Sequence, residues 1–319
     1  MERKIEISTK TVGFAVLLIL GIFFILQLSS VVVSLFLAFL FSSALSPIVR
    51  FIERLRVPRV ISVPLVFIIV LSLFFLTAAL IIPPLVYQLI KFFESLPNYL
   101  SGFSLLSELD LSSFSSQFTT LGQNIFKLTK GVFNDVLSFV SIFVLTFYML
   151  FERKNAEKTI SVYFGDEKSY KIARLAKKIE NALGAWARGQ FVLCVIIGVA
   201  TYLGLRFMGI DYALPLAIIA GVLEMVPMIG PIISAIPAVI VAFSSSMDLA
   251  LLTMLLYLLI QQAENHLIVP FVMKKAIGLS PLVTIAAIMV GGSLAGVAGM
   301  LLAIPILVIV QTAFSEFTS

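Results

Sequence analysis

The sequence predicts an all-α polytopic membrane protein of about eight helical units, two of them broken, re-entrant-like hairpins arranged as an inverted repeat. Three observations carry this expectation. The 319 residues are 60% hydrophobic and only 12% charged, whereas a soluble domain is about 25% charged. Several apolar runs exceed the roughly 18 residues that mark a membrane-spanning helix. Two long apolar stretches, 212–243 and 280–312, share a plan: each opens on Pro-Leu (Pro215-Leu216; Pro281-Leu282), breaks at a Pro- or Gly-rich middle, and closes on Ala-Ile-Pro (Ala235–Pro237; Ala303–Pro305). A β-barrel would show short alternating segments instead.

The elements follow in order. Residues 11–28 and 31–49 read as a helical hairpin, with Pro47 ending its second arm. No small-residue cleavage site follows the first run, which is read as a retained helix rather than a signal peptide. The next loop carries Arg50, Arg54, Arg56 and Arg59 against Glu53 alone, which assigns it and the basic N-terminus to the cytoplasm. Residues 60–83 read as a third span closed by Pro83-Pro84. In 85–134 polar residues are mixed among apolar ones with no basic excess, as suits external amphipathic helices. Residues 135–151 form a fourth span.

Residues 152–188 are the most charged stretch and read as a cytoplasmic amphipathic helix, with Ile172, Leu175, Ile179 and Leu183 on one face and Trp186 as an interface anchor. The fifth span, 189–207, runs outward. A further apolar unit, 249–270, runs back in toward Lys274 and Lys275. The units 189–243 and 249–312 are thus each a helix followed by a broken hairpin, entered from opposite faces. The expected organisation is N-terminal helices (1–151), the charged helix (152–188) and a transport core (189–319). The breaks at 226–231 and 291–299 are expected to converge at mid-depth and expose unwound backbone.

Ionisable residues within such segments are costly and rare. Glu224 lies three residues before Pro227; it either binds a solute or ion, or holds the break open by a hydrogen bond. Helical period places Gln261, Glu264 and Asn265 toward one face; Glu264 either lines the pathway or sits at headgroup level beside Lys274 or Lys275. Gln190 is a candidate lining residue and Arg188 a cytoplasmic anchor. Pro227, Gly230, Pro231, Gly291 and Gly292 provide the sharp turns and close approaches of a substrate or ion pathway. His266, the single histidine, is read as an interface residue, not a metal ligand, and the single Cys194 as a small core residue. No Walker loop, GxSxG, HExxH or cysteine pair is present, so neither an enzyme nor a resident cofactor is expected. The possible coupling ion is sodium or a proton. The basic residues lie in loops, so the net charge of +5 reports orientation and not nucleic-acid binding.

Gly221–Ala238 (GVLEMVPMIGPIISAIPA), Arg188-Gly189-Gln190, Gln262–Pro270 and Gly278–Pro305 together resemble the AI-2E family of transporters, also called the autoinducer-2 exporter or PerM-like family. The loop LSPIVRFIERLRVPR is similar too. The resemblance implies an inner-membrane protein that works as a homo-oligomer, a pentamer in that family; the charge pattern places both termini in the cytoplasm. It also implies export of a small polar signal such as autoinducer-2, with sodium (or lithium)/proton antiport as the alternative; a non-transporting membrane scaffold that binds partners through 152–188 is a further reading.

Overall fold

The computed structural model describes residues 29–101, 140–152, 166–273 and 280–318. Its elements are α1 (Ser29–Arg54), α2 (Arg59–Ser101), α3 (Val140–Glu152), α4 (Asp166–Phe207), α5 (Ala213–Leu223), α6 (Ile229–Ser245), α7 (Met247–Ala263), a π-helical turn (Glu264–Ile268), α8 (Val269–Val272) and α9 (Pro281–Thr318). All regular structure among the described residues is helical, and five helices are long and apolar enough to cross a membrane. The expected span 11–28, most of the external segment 85–134, and Lys274 and Lys275 lie outside the described residues.

Two expected stops are not stops. α1 runs through Pro47 to Arg54. Pro47 has no N–H, so the Ser43 carbonyl four residues back loses its helical donor. Arg188 Nη1 takes that place, donating to Ser43 O at 3.4 Å and Ala44 O at 3.2 Å. α2 likewise continues past Pro83-Pro84 to Ser101. Two adjacent prolines remove two ladder bonds, whereas a full break would strip more backbone of partners in an apolar medium. The charged and apolar halves expected to meet at 188/189 form one helix, α4, of 42 residues, about 63 Å long at 1.5 Å per residue. Its charged end exceeds the roughly 30 Å hydrocarbon core. There Arg174 Nε lies 3.1 Å from Glu316 Oε1, and Lys178 pairs with the same carboxylate.

Both interrupted segments are broken near their expected places. The first turns at 224–228, between α5 and α6. Its two arms pack together through Leu216 and Ala220 against Ala238 and Val241. α5 has only 11 residues, about 16 Å, half the hydrocarbon thickness, so this hairpin is re-entrant. The second break lies inside α9, at Ala295 (φ −143°, ψ 23°) and Gly296 (φ +58°, ψ −138°). A methyl group on Gly299 would overlap the Gly291 carbonyl, and one on Gly292 would come within 2.7 Å of Met300 Cε. Residues eight apart touch only if the chain folds back on itself, so α9 is a hairpin, not a rod. The first hairpin starts from the Phe207 end of α4, and the second closes at the opposite, charged end through Glu316. This is the inverted arrangement the sequence predicts.

The two tips do not meet point to point. Val226, at the first tip, packs with Ile288, Ala303 and Ile304 on the arms of the second hairpin, while Leu294 and Val297 at the second tip are exposed. The short α5 arm reaches only far enough to touch the flank of its counterpart. Trp186, expected at the interface, is buried in this same cluster beside Leu183. A separate core of Val49, Val63, Val66, Phe67 and Leu150 joins α1, α2 and α3. Arg59 fastens it by donating to the Phe151 and Leu150 carbonyls at the end of α3.

The folded-back α9 yields a direct prediction. A Cβ on Gly291 would sit 3.1 Å from Ala303 Cβ, whereas a straight helix would hold these positions about 18 Å apart. With Cys194 replaced by Ala, the pair Gly291→Cys and Ala303→Cys should oxidise to an intrachain disulfide, detected as a mobility shift reversed by reductant. No crosslink would mean that α9 is straight.

Candidate functional site

The site is assembled on α4, whose glycines let two other elements lie directly on its backbone. A Cβ on Gly184 would strike the Ser43 carbonyl of α1; one on Gly221 of α5 would sit 2.8 Å from the Cys194 carbonyl and 3.3 Å from Gly198 Cα. Close helix approach through small residues is how helices associate where lipid supplies no hydrophobic drive. α5 is thereby pressed onto α4 one turn before the chain breaks.

The sequence Glu224-Met-Val-Pro-Met-Ile-Gly-Pro explains the break. Pro227 cannot donate to Leu223 O, and Pro231 cannot donate to Pro227 O. Each freed carbonyl finds a replacement. Val226 N donates to Leu223 O (2.9 Å) and Ile229 N to Pro227 O (2.8 Å). Gln190 Nε2, from α4, donates to Glu224 O at 2.7 Å. Met228 takes φ +69°, and Gly230 is seated against the Leu223 carbonyl with no room for a side chain. Broken backbone at membrane depth is tolerated only when it is satisfied in this way.

The break leaves the Glu224 side chain buried, 1% exposed. Glu264 faces it, 4% exposed, from the first position of the π-helical turn. That turn follows from Pro270, which cannot donate to His266 O. The ladder widens so that Val269 N bonds Glu264 O, five residues back. Gln261 Nε2 donates to Glu264 Oε2 at 3.2 Å. Glu224 and Glu264 lie within electrostatic reach of each other, and Cys194 lies within reach of both. Neither Glu224 carboxylate oxygen has a hydrogen-bond partner among the described residues. The turn beyond Glu264 closes over α4, where Met273 Sδ fills the space beside Gly189.

Of the expected pathway residues, Glu224, Gln261 and Glu264 are brought together, with Pro227, Gly230 and Pro231 shaping the break that holds them. Asn265 is not part of the group: it is exposed, because the π-helical turn shifts the period after Glu264. Gly291 and Gly292 serve the α9 hairpin, against Gly299 and Met300. Glu264 is buried rather than solvent-exposed. Arg188 reaches α1 rather than acting as a surface anchor. Cys194, read as plain core, borders the acidic pair; its place one turn beyond Gln190 was the available signal. His266 is exposed, with Nδ1 3.0 Å from Gln262 O. Among the described residues no group of three His, Cys, Asp or Glu side chains is gathered to hold a metal.

Two helix-plus-hairpin units and a buried acidic pair are the plan of a multi-pass membrane transporter. The sequence matches the AI-2E family transporter family over residues 13–319, and the chain belongs to that family. It is similar to YueF of Bacillus subtilis strain 168, a transport protein by name, at 28% identity over 91% of this chain and 85% of that one. YhhT of Escherichia coli K12 is 26% identical over 87% of this chain and 82% of its own length. The sodium-lithium/proton antiporter of Halobacillus andaensis is 25% identical over 94% of both chains.

The carbonyl partners on α4 set two expected outcomes. Arg188→Ala leaves Ser43 O and Ala44 O without a charged donor and should cost about 1.5–3 kcal/mol of stability. Gln190→Leu orphans Glu224 O and should cost about 1–3 kcal/mol. Both should appear as lowered thermal transitions of the detergent-purified protein, with Arg188→Lys intermediate because it keeps the charge and loses the fork.

Proposed function

We propose that this chain is a proton-coupled monovalent-cation transporter that exchanges sodium or lithium for protons at Glu224 and Glu264. The observation that carries this reading is the buried acidic pair Glu224 and Glu264, with Gln261 donating to the Glu264 carboxylate and Gln190 to the Glu224 backbone carbonyl. Two ionised carboxylates brought together in a buried site repel each other, and leaving water adds to that cost. One shared proton or one small cation between them relieves both penalties. The two occupants exclude each other, which is the condition for exchange. A neutral polar signal would bring no charge to the pair, so the geometry favours the cation. The antiporter relative from Halobacillus andaensis, matched along nearly its whole length, supports the same choice.

In this reading Gln190 and Gln261 orient the pair. Pro227, Gly230 and Pro231 form a preset break that lets the α5–α6 hairpin shift against α4 and open the pair to alternate sides. The cluster Arg50, Arg54, Arg56 and Arg59 and the charged end of α4 lie on the cytoplasmic face of the inner membrane, by their positive charge. The end at 207–212 then faces outward.

The test is exchange in everted vesicles or proteoliposomes. Glu224→Gln and Glu264→Gln should each abolish sodium and lithium exchange driven by a pH gradient, while the purified variants keep their oligomeric profile. Exchange at the unsubstituted rate in both variants would overturn the assignment.

A further inference from the structure

Two more buried polar groups stand on α4, against which Glu224 is held, and on α7, which leads to Glu264, and are used by nothing described above. Thr201 on α4 is 1% exposed and Tyr257 on α7 is 8% exposed. Neither Thr201 Oγ1 nor the Tyr257 hydroxyl has a hydrogen-bond partner among the described residues. An orphaned buried hydroxyl costs about as much as a lost hydrogen bond, and Val or Phe would fill the same space without that cost.

Their positions are not scattered. Thr201 lies seven residues beyond Cys194, and Tyr257 seven residues before Glu264. Seven residues are two turns, so each hydroxyl lies on the helix face that carries its partner at the acidic pair, about 10 Å along the axis. Both are displaced in the same direction. Leu205 near the end of α4 and Ala250 near the start of α7 share one core with Ala213 and Ala242, and that core includes Tyr257. Leu256 packs so closely on Gly204 that an added Cβ would lie 2.6 Å from its methyls, which puts α4 and α7 side by side at this level.

We propose that Thr201 and Tyr257 mark a hydrogen-bonded water file between α4 and α7, by which protons pass between the acidic pair and the 207–212 end of the core. A span of about 10 Å takes roughly three bridging waters at ordinary hydrogen-bond spacing. Each hydroxyl accepts a hydrogen bond on one side and donates on the other. A proton entering at one end forms one O–H bond as the next breaks, and the last proton comes to rest on Glu224 or Glu264. No charge stays on the hydroxyls. The file rests on the pair being the proton-carrying site.

Full-length protein in proteoliposomes tests it, with sodium-driven proton flux as the readout. Thr201→Val and Tyr257→Phe should each lower that flux about tenfold, the effect of one lost bridging hydrogen bond on a rate. Thr201→Ser, which keeps the hydroxyl, should retain it. Unaltered flux in Thr201→Val and Tyr257→Phe, with Glu224→Gln inactive, overturns the file and leaves the acidic pair in place. Unaltered flux in Glu224→Gln and Glu264→Gln instead removes the pair, and the file with it. Radiolytic labelling of the unsubstituted protein in ¹⁸O-water gives a second reading that needs no variant to fold. Tyr257 should take up label from adjacent water faster than the equally buried Trp186, and a dry, unlabelled Tyr257 overturns the proposal.

Discussion

A backbone carbonyl released inside a bilayer must find another donor, and the architecture depends on where those donors stand. Prolines release carbonyls at several points described here, among them Pro47 at Ser43, Pro227 at Leu223, Pro231 at Pro227 and Pro270 at His266. At Pro47 and at the 224–228 break the donor comes from α4. Arg188 serves Ser43 and Ala44, and Gln190, two residues on, serves Glu224. Gly184 and Gly198 let α1 and α5 approach closely enough for these bonds to form. α4 is therefore the frame on which both the N-terminal helices and the first hairpin are hung.

The same economy explains the acidic pair. A buried carboxyl group in an apolar setting is expensive, and two in contact are more so. A packed apolar core would be the stable alternative, as the well-filled cluster around Val226, Ile288 and Ile304 shows a few residues away. Placing Glu224 at a helix break and Glu264 at a π-helical turn puts each at a point where the ladder is already perturbed. Such turns gather at functional positions because they re-aim a side chain without ending the helix.

Composition and apolar run length made the membrane class legible, and the Pro- and Gly-rich interruptions located both breaks to within a few residues. Glu224 stood out because a lone acid in an apolar stretch has few bland explanations. What escaped was whatever depended on a distant partner. Pro47 reads as a helix stop until Arg188, more than a hundred positions away, supplies the missing donor. Asn265 shares a face with Glu264 only if the helix keeps its ordinary period, and the π-helical turn cancels that. The meeting of tip with flank, rather than tip with tip, follows from unequal arm lengths that hydropathy cannot measure. Cys194 looked inert because its neighbours are set by the crossing of α5 over α4, not by its place in the sequence.

The hydrogen bond from Gln190 to Glu224 spans 34 positions, with the donor made first; the one from Arg188 to Ser43 spans 145, with the donor made last. During synthesis the first re-entrant hairpin thus leaves the ribosome with its acceptor's partner already in place and can settle at once. The proline-freed carbonyl of α1 must wait until α4 has been translated. Biogenesis therefore has a built-in order: the N-terminal helices stay incompletely assembled until the long central helix arrives, and the re-entrant loop is the first part of the core able to lock.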